Sequence, residues 1–221
     1  MKPVDKTTRI PVEAAGDVTS IRTPAAGRST GWTFVYAPGA GSNIRDPFGA
    51  FAATALATGG ITTVRFQFPY MEAGRRAPDR PPLLEAAWRA VIDAARDGAS
   101  RLVVGGRSMG GRIASQVVAQ GVPVDALALF AYPLHPPGKP EQLRIEHLAA
   151  IQAPVLFCSG TRDAFASPDE LRAAGKGVRR ATLHLLEAAD HGFAVPKASG
   201  RTREQVWPEA VSAMVKWLSK L

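Results

Sequence analysis

Residues 105–112 read GGRSMGGR: one serine, Ser108, among four glycines. The stretch before it, ASRLVV (99–104), reads as a buried strand, and IASQVVAQG (113–121) reads as a helix. A chain that leaves a strand and enters a helix this abruptly holds the residue at the bend in a strained conformation. The residues two before and two after it pass close to neighbouring backbone, where only very small side chains fit, and here they are Gly106 and Gly110. The pattern predicts Ser108 exposed above the sheet as a nucleophile. The free N–H groups of the following helix would then face any negative charge that develops there.

Outward from this point, short apolar strands alternate with helical patterns. A strand pair over roughly residues 8–25 precedes GWTFVYA (31–37), a strand ending in a glycine-rich turn. PFGAFAATALATGG (47–60) is a glycine-closed helix, ITTVRFQF (61–68) a strand, and PYMEAGRRAPDRPP (69–82) a polar loop. LLEAAWRAVIDAARDG (83–98) has its apolar residues at helical spacing. Beyond the serine, VDALALFAY (124–132) and APVLFCSG (153–160) are buried strands. SPDELRAAGKG (167–177) begins with Ser167 and Glu170 in a capping box. ATLHLLE (181–187) is the last strand and EQVWPEAVSAMVKWLSKL (204–221) the last helix, with Pro208 in its first turn or kinking it. This alternation predicts an α/β fold, a mostly parallel sheet with helices on both faces, in one domain over residues 1–221. Ligands of such sheets gather at the C-terminal ends of the strands.

A serine hydroxyl needs a histidine to take its proton, and four are available. His184 alternates within the last strand and His147 lies in a short helical stretch expected to be solvated. His135, in YPLHPPGKP just after a strand, is a candidate to line the site. His191, in EAADHGF after the last strand, is the expected base. For the acid that orients the histidine, adjacent Asp190 points away from the ring in an extended loop, whereas Asp163, in CSGTRDAFAS after a central strand, approaches from the sheet top. The expected oxyanion donors are the backbone N–H groups of Met109, directly after the serine, and of Ala40, in the PGAGSN turn. Tyr70, with Arg75 and Arg76, is a candidate substrate contact. No His/Cys cluster has ligand spacing, so neither metal nor cofactor is expected.

With 221 residues, 46% hydrophobic and 21% charged, the chain has the composition of a soluble globular protein. Its apolar runs are shorter than the about 18 residues a membrane span needs, and its start has no apolar leader core; a cytoplasmic protein is expected. Cys158, the one cysteine, lies in a strand and reads as a buried small hydrophobe. The net charge of +8 is spread as scattered arginines with no nucleic-acid motif, so no nucleic-acid partner is expected.

With Ser108, Asp163 and His191 in that chain order, the sequence resembles an α/β-hydrolase from the strand before PGAGSN to the last helix. More narrowly, it is similar to small dienelactone-hydrolase-like proteins. FPYMEAGRRAPDRPP, GGRSMGGRIAS, YPLHPPGKPEQLR and GTRDAFA…ADHGF resemble the subgroup related to a chromatin acetyltransferase-complex subunit. The resemblance implies an eight-stranded, mostly parallel sheet and serine-ester chemistry. Dienelactone hydrolases proper carry cysteine where Ser108 stands, and many relatives carry histidine where Pro38 stands. The stretch between the strands ending at Tyr132 and starting at Ala153 is too short for a helical cap, so an open pocket taking short-chain esters, thioesters or lactones is expected. The alternative expectation is a non-catalytic protein-interaction module on the same scaffold.

Overall fold

The short β-branched and aromatic runs pair into one eight-stranded sheet in the computed structural model, which describes residues 4–13 and 15–221. The strands are β1 (Lys6–Val12), β2 (Gly16–Thr23), β3 (Trp32–Ala37), β4 (Thr62–Phe66), β5 (Arg101–Arg107), β6 (Ala126–Phe130), β7 (Val155–Gly160) and β8 (Ala181–Leu186). Their order across the sheet is β1-β2-β4-β3-β5-β6-β7-β8. β1 and β2 pair with each other, and β2 with β4, antiparallel; every other pairing is parallel. Met1–Pro3, part of the start expected to lack an apolar leader core, lie outside the described residues.

The helices are α1 (Pro47–Thr58), α2 (Pro69–Glu72), α3 (Pro81–Arg96), α4 (Met109–Ala119), α5 (Pro168–Lys176) and α6 (Arg203–Leu218). Alternate strand residues face opposite sides, so the sheet has two cores. Phe34 and Tyr36 of β3 pack with Phe48 and Leu56 of α1 and with Val206 and Met214 of α6. Val35 and Ala37 face the other way, toward Trp88 and Ile92 of α3, Ile113 and Val117 of α4 and Leu171 of α5. This is an α/β-hydrolase fold without a large cap. Between β6 and β7 the chain forms only loops and a short 3-10 turn, Glu146–Ala150.

From β3 the chain runs to β4 on one side and then crosses to β5 on the other. The C-terminal ends of β3 and β5 thus flank the point where the winding reverses, and a crevice opens there. Ala37 and Gly106 are paired at its floor.

Three local expectations need correction. The 69–82 loop contains a helical turn, α2, because Pro69 sits in its first turn, where its missing N–H costs nothing. Of the two alternatives expected for Pro208 the first turn is excluded: it lies further inside α6, which continues past it. His147 is half-buried rather than solvated: its Nε2 lies 2.8 Å from Ser115 Oγ and 3.3 Å from the Tyr132 hydroxyl.

Candidate active site

The turn from β5 into α4 holds Ser108 at φ 51°, ψ −120°, a region that residues with a Cβ rarely occupy. Its backbone is held on both sides: Ser108 N–H donates to Phe130 C=O at 2.9 Å, and Ser108 C=O accepts from Arg112 N–H at 3.0 Å. The flanking glycines are sterically required. A Cβ on Gly106 would lie 2.1 Å from Ala37 O, and one on Gly110 2.2 Å from the same atom. The end of β3 therefore presses directly on the elbow, and the loop that follows β3 lies beside the serine. A Cβ on Gly39 would be 3.4 Å from that of Ser108.

The structure brings Ser108, His191 and Asp163 into one hydrogen-bonded chain. His191 Nδ1 lies 2.9 Å from both carboxylate oxygens of Asp163, and His191 Nε2 lies 2.9 Å from Ser108 Oγ. A carboxylate only accepts, so Nδ1 carries the proton, Nε2 is an acceptor, and the serine hydroxyl donates to it. The Asp163 side chain is fully buried while that of His191 is 23% exposed, so the far end of the chain is dry and the serine end reachable. Phe165 stacks on the imidazole at a centroid distance of 4.1 Å, and its N–H donates to Asp163 Oδ1 at 2.8 Å.

The histidine loop rests on the end of β7. Gly160 permits this contact, since a Cβ there would lie 2.1 Å from Ala189 O. Ala188 N–H donates to Thr161 Oγ1, and Arg162 N–H donates to Ala189 O. Asp190 works within the loop itself: its Oδ1 accepts from Gly192 and Ala194 N–H, so its carboxylate is committed to the turn.

The N–H groups of Met109 and Ala40 make no hydrogen bond among the described residues, which leaves both free to donate. The candidate substrate contacts Tyr70 and His135 follow β4 and β6. Both are buried, and their polar atoms already have protein partners. The Tyr70 hydroxyl donates to Ala40 O at 2.8 Å, and burial pushes its titration up to about 12, so it stays protonated and holds the Ala40 loop. The His135 ring lies 3.3 Å from Glu170 and contacts the Pro136 carbonyl, and its backbone N–H donates to Phe165 O. Beside Ala40 a cleft of about 340 Å³ is lined by Ser42, Asn43, Tyr70, Met71, Arg75 and Arg76 among others. Arg75 is paired there with Asp79 at 2.6 Å.

Arg107 and Phe165 went unnoticed in the sequence. Both adjoin recognised residues, but the direction of a side chain at the end of a strand depends on what packs against it. Among the described residues no three His, Cys, Asp or Glu side chains converge as metal ligands. Burial pushes the Cys158 thiol well up, which keeps it protonated and unreactive.

Residues 30–219 match the profile of a family described as an alpha/beta hydrolase domain. Among solved structures, the fold superposes on a dienelactone hydrolase from Anabaena variabilis with a TM-score of 0.78 at 16% identity, covering 100% of this chain and 99% of that one. It matches an alpha-beta serine hydrolase homologue from Coxiella burnetii with a TM-score of 0.74 at 20% identity, covering 96% and 98%. A serine hydrolase without a lid from Xanthomonas campestris matches with a TM-score of 0.72 at 18% identity, covering 96% and 94%. At these identities the likeness is one of fold.

Proposed function

The chain belongs to the alpha/beta hydrolase domain family, and from that premise we propose that it is a serine hydrolase that cleaves small carboxylic esters, thioesters or lactones through an acyl-enzyme. His191 Nε2 takes the Ser108 proton as Oγ bonds to the substrate carbonyl carbon. The N–H groups of Met109 and Ala40 receive the oxyanion. His191, now an imidazolium steadied by Asp163, returns the proton to the leaving alcohol as the carbon–oxygen bond breaks. Water repeats the sequence, giving its proton to His191 and releasing the acid. The reading takes residues 1–221 as one cytoplasmic domain that works on a small molecule without metal or cofactor. The finer likeness to the subgroup related to a chromatin acetyltransferase-complex subunit belongs to the same reading.

The observation that carries it is the hydrogen-bonded chain from a strained, reachable serine to a fully buried carboxylate. Intact-mass spectrometry after exposure to a fluorophosphonate tests it. One adduct is expected on the wild type, none on Ser108→Ala, and labelling slowed by at least about 10³-fold on His191→Ala. A folded wild-type protein that takes up no adduct would overturn the reading in favour of a non-catalytic interaction module.

A further inference from the structure

We propose that Arg107 is a positioning residue that holds His191 at hydrogen-bonding distance from Ser108, an inference that rests on the serine-hydrolase reading above. Arg107 stands just before the nucleophile, and its side chain leaves β5 on the α1/α6 side of the sheet, where it meets Asp46 and Phe193. There it meets two other segments. Its Nη2 donates to the His191 carbonyl at 3.1 Å, and its guanidinium lies over the Phe193 ring, 5.6 Å from the centroid. Its Nη1 lies 3.8 Å from Asp46 Oδ1. Asp46 is itself held by the Tyr36 hydroxyl and by Gly49 N–H, whose bond caps α1. One side chain thus joins the elbow to the histidine loop and to the segment that leads from the Ala40 turn into α1.

The wiring of the histidine loop gives this link its importance. Toward the acid, the loop is tied twice: Ala188 to Thr161 and Ala189 to Arg162, both on the end of β7 that also carries Asp163. Those bonds set the His191–Asp163 distance. Toward the nucleophile, the polar ties among the described residues are the His191–Ser108 bond itself and the Arg107 contact with the His191 carbonyl. The first is the bond that must break and re-form during turnover, so of these two polar ties the second is the one that persists throughout, beside the packing of Phe193 against Phe48. The Arg107 side chain is 19% exposed, hence largely shielded from competing water.

A double-mutant cycle on fluorophosphonate labelling rates tests the proposal, with kcat and KM for p-nitrophenyl acetate measured alongside. Arg107→Met is expected to lower kcat and the labelling rate about 10- to 100-fold with KM changed less than about twofold, the scale set by a small misalignment of reacting groups. Arg107→Lys, which keeps one cationic donor, should recover part of the loss. In a His191→Ala background, Arg107→Met should cost less than about twofold, because nothing remains for it to position. An equal loss in both backgrounds would reduce Arg107 to general support of the elbow and overturn the proposal. So would wild-type rates in folded Arg107→Ala, which carries the test if the Met variant fails to fold. If His191→Ala labels as fast as wild type, the function reading itself falls, and this inference with it.

Discussion

At the scale of single residues, the site trades stability for geometry. Ser108 holds a backbone conformation that costs about 1–3 kcal/mol and persists because the strand before it and the helix after it are both fixed. Glycine tolerates that conformation freely, so Ser108→Gly is expected to unfold at a higher denaturant concentration than Ser108→Ala, while neither hydrolyses ester; equal midpoints would mean the turn stores no strain. On the proposed reading, Tyr70 acts one step back from the chemistry, through the Ala40 loop. Its bond to Ala40 O is a neutral one, worth about 1 kcal/mol, so Tyr70→Phe should lower kcat about fivefold through a looser donor loop and leave KM nearly unchanged. A rise in KM at constant kcat would instead return Tyr70 to the role of a direct substrate contact.

At the scale of elements, the serine helix α4 is clamped to the 3-10 turn by a closed set of hydrogen bonds. Ser115 Oγ donates to Arg112 O, and His147 Nε2 lies 2.8 Å from Ser115 Oγ and 3.3 Å from the Tyr132 hydroxyl. Burial, and next the charge of Arg112, lowers the His147 pKa from 6.5 to about 4. The unfolded chain therefore binds more protons than the folded one between those values. Stability should fall as pH drops from about 6.5 to 4 and gain no further loss from this group below that. Discounted for partial exposure, the effect is about 1–2 kcal/mol. Urea unfolding across that window should show a shallower slope in His147→Leu; an unchanged slope would move the acid sensitivity to other groups. The capping box of α5 shows the reverse situation, where a local pattern sufficed: Ser167 N–H donates to Glu170 Oε2 at 2.7 Å and Glu170 N–H to Ser167 Oγ at 3.3 Å, within a span of three residues.

At the scale of the whole molecule, the short β6–β7 connection leaves the crevice without a cap, and the site opens to water. Activity on a p-nitrophenyl ester series is expected to peak at short acyl chains, whereas a rise past octanoyl would sink the open-site picture. The parallel sheet, its two helical layers and the elbow at Ser108 were legible from the amino-acid sequence because each rests on local rules: periodicity, glycine-ended helices, and the clash that any Cβ at Gly106 or Gly110 meets. The chain order of Ser108, Asp163 and His191 was legible too, since each follows a recognisable strand. Where the loop side chains point was not. His135 turns to Glu170, Tyr70 to the Ala40 carbonyl and Arg107 to the His191 carbonyl, and the partners of these three lie 30 to 84 positions away in the chain. The sequence by itself determined which residues stand at the C-terminal edge of the sheet; only the tertiary structure decided which of them face the crevice, because a loop side chain takes its direction from whatever distant segment packs against it.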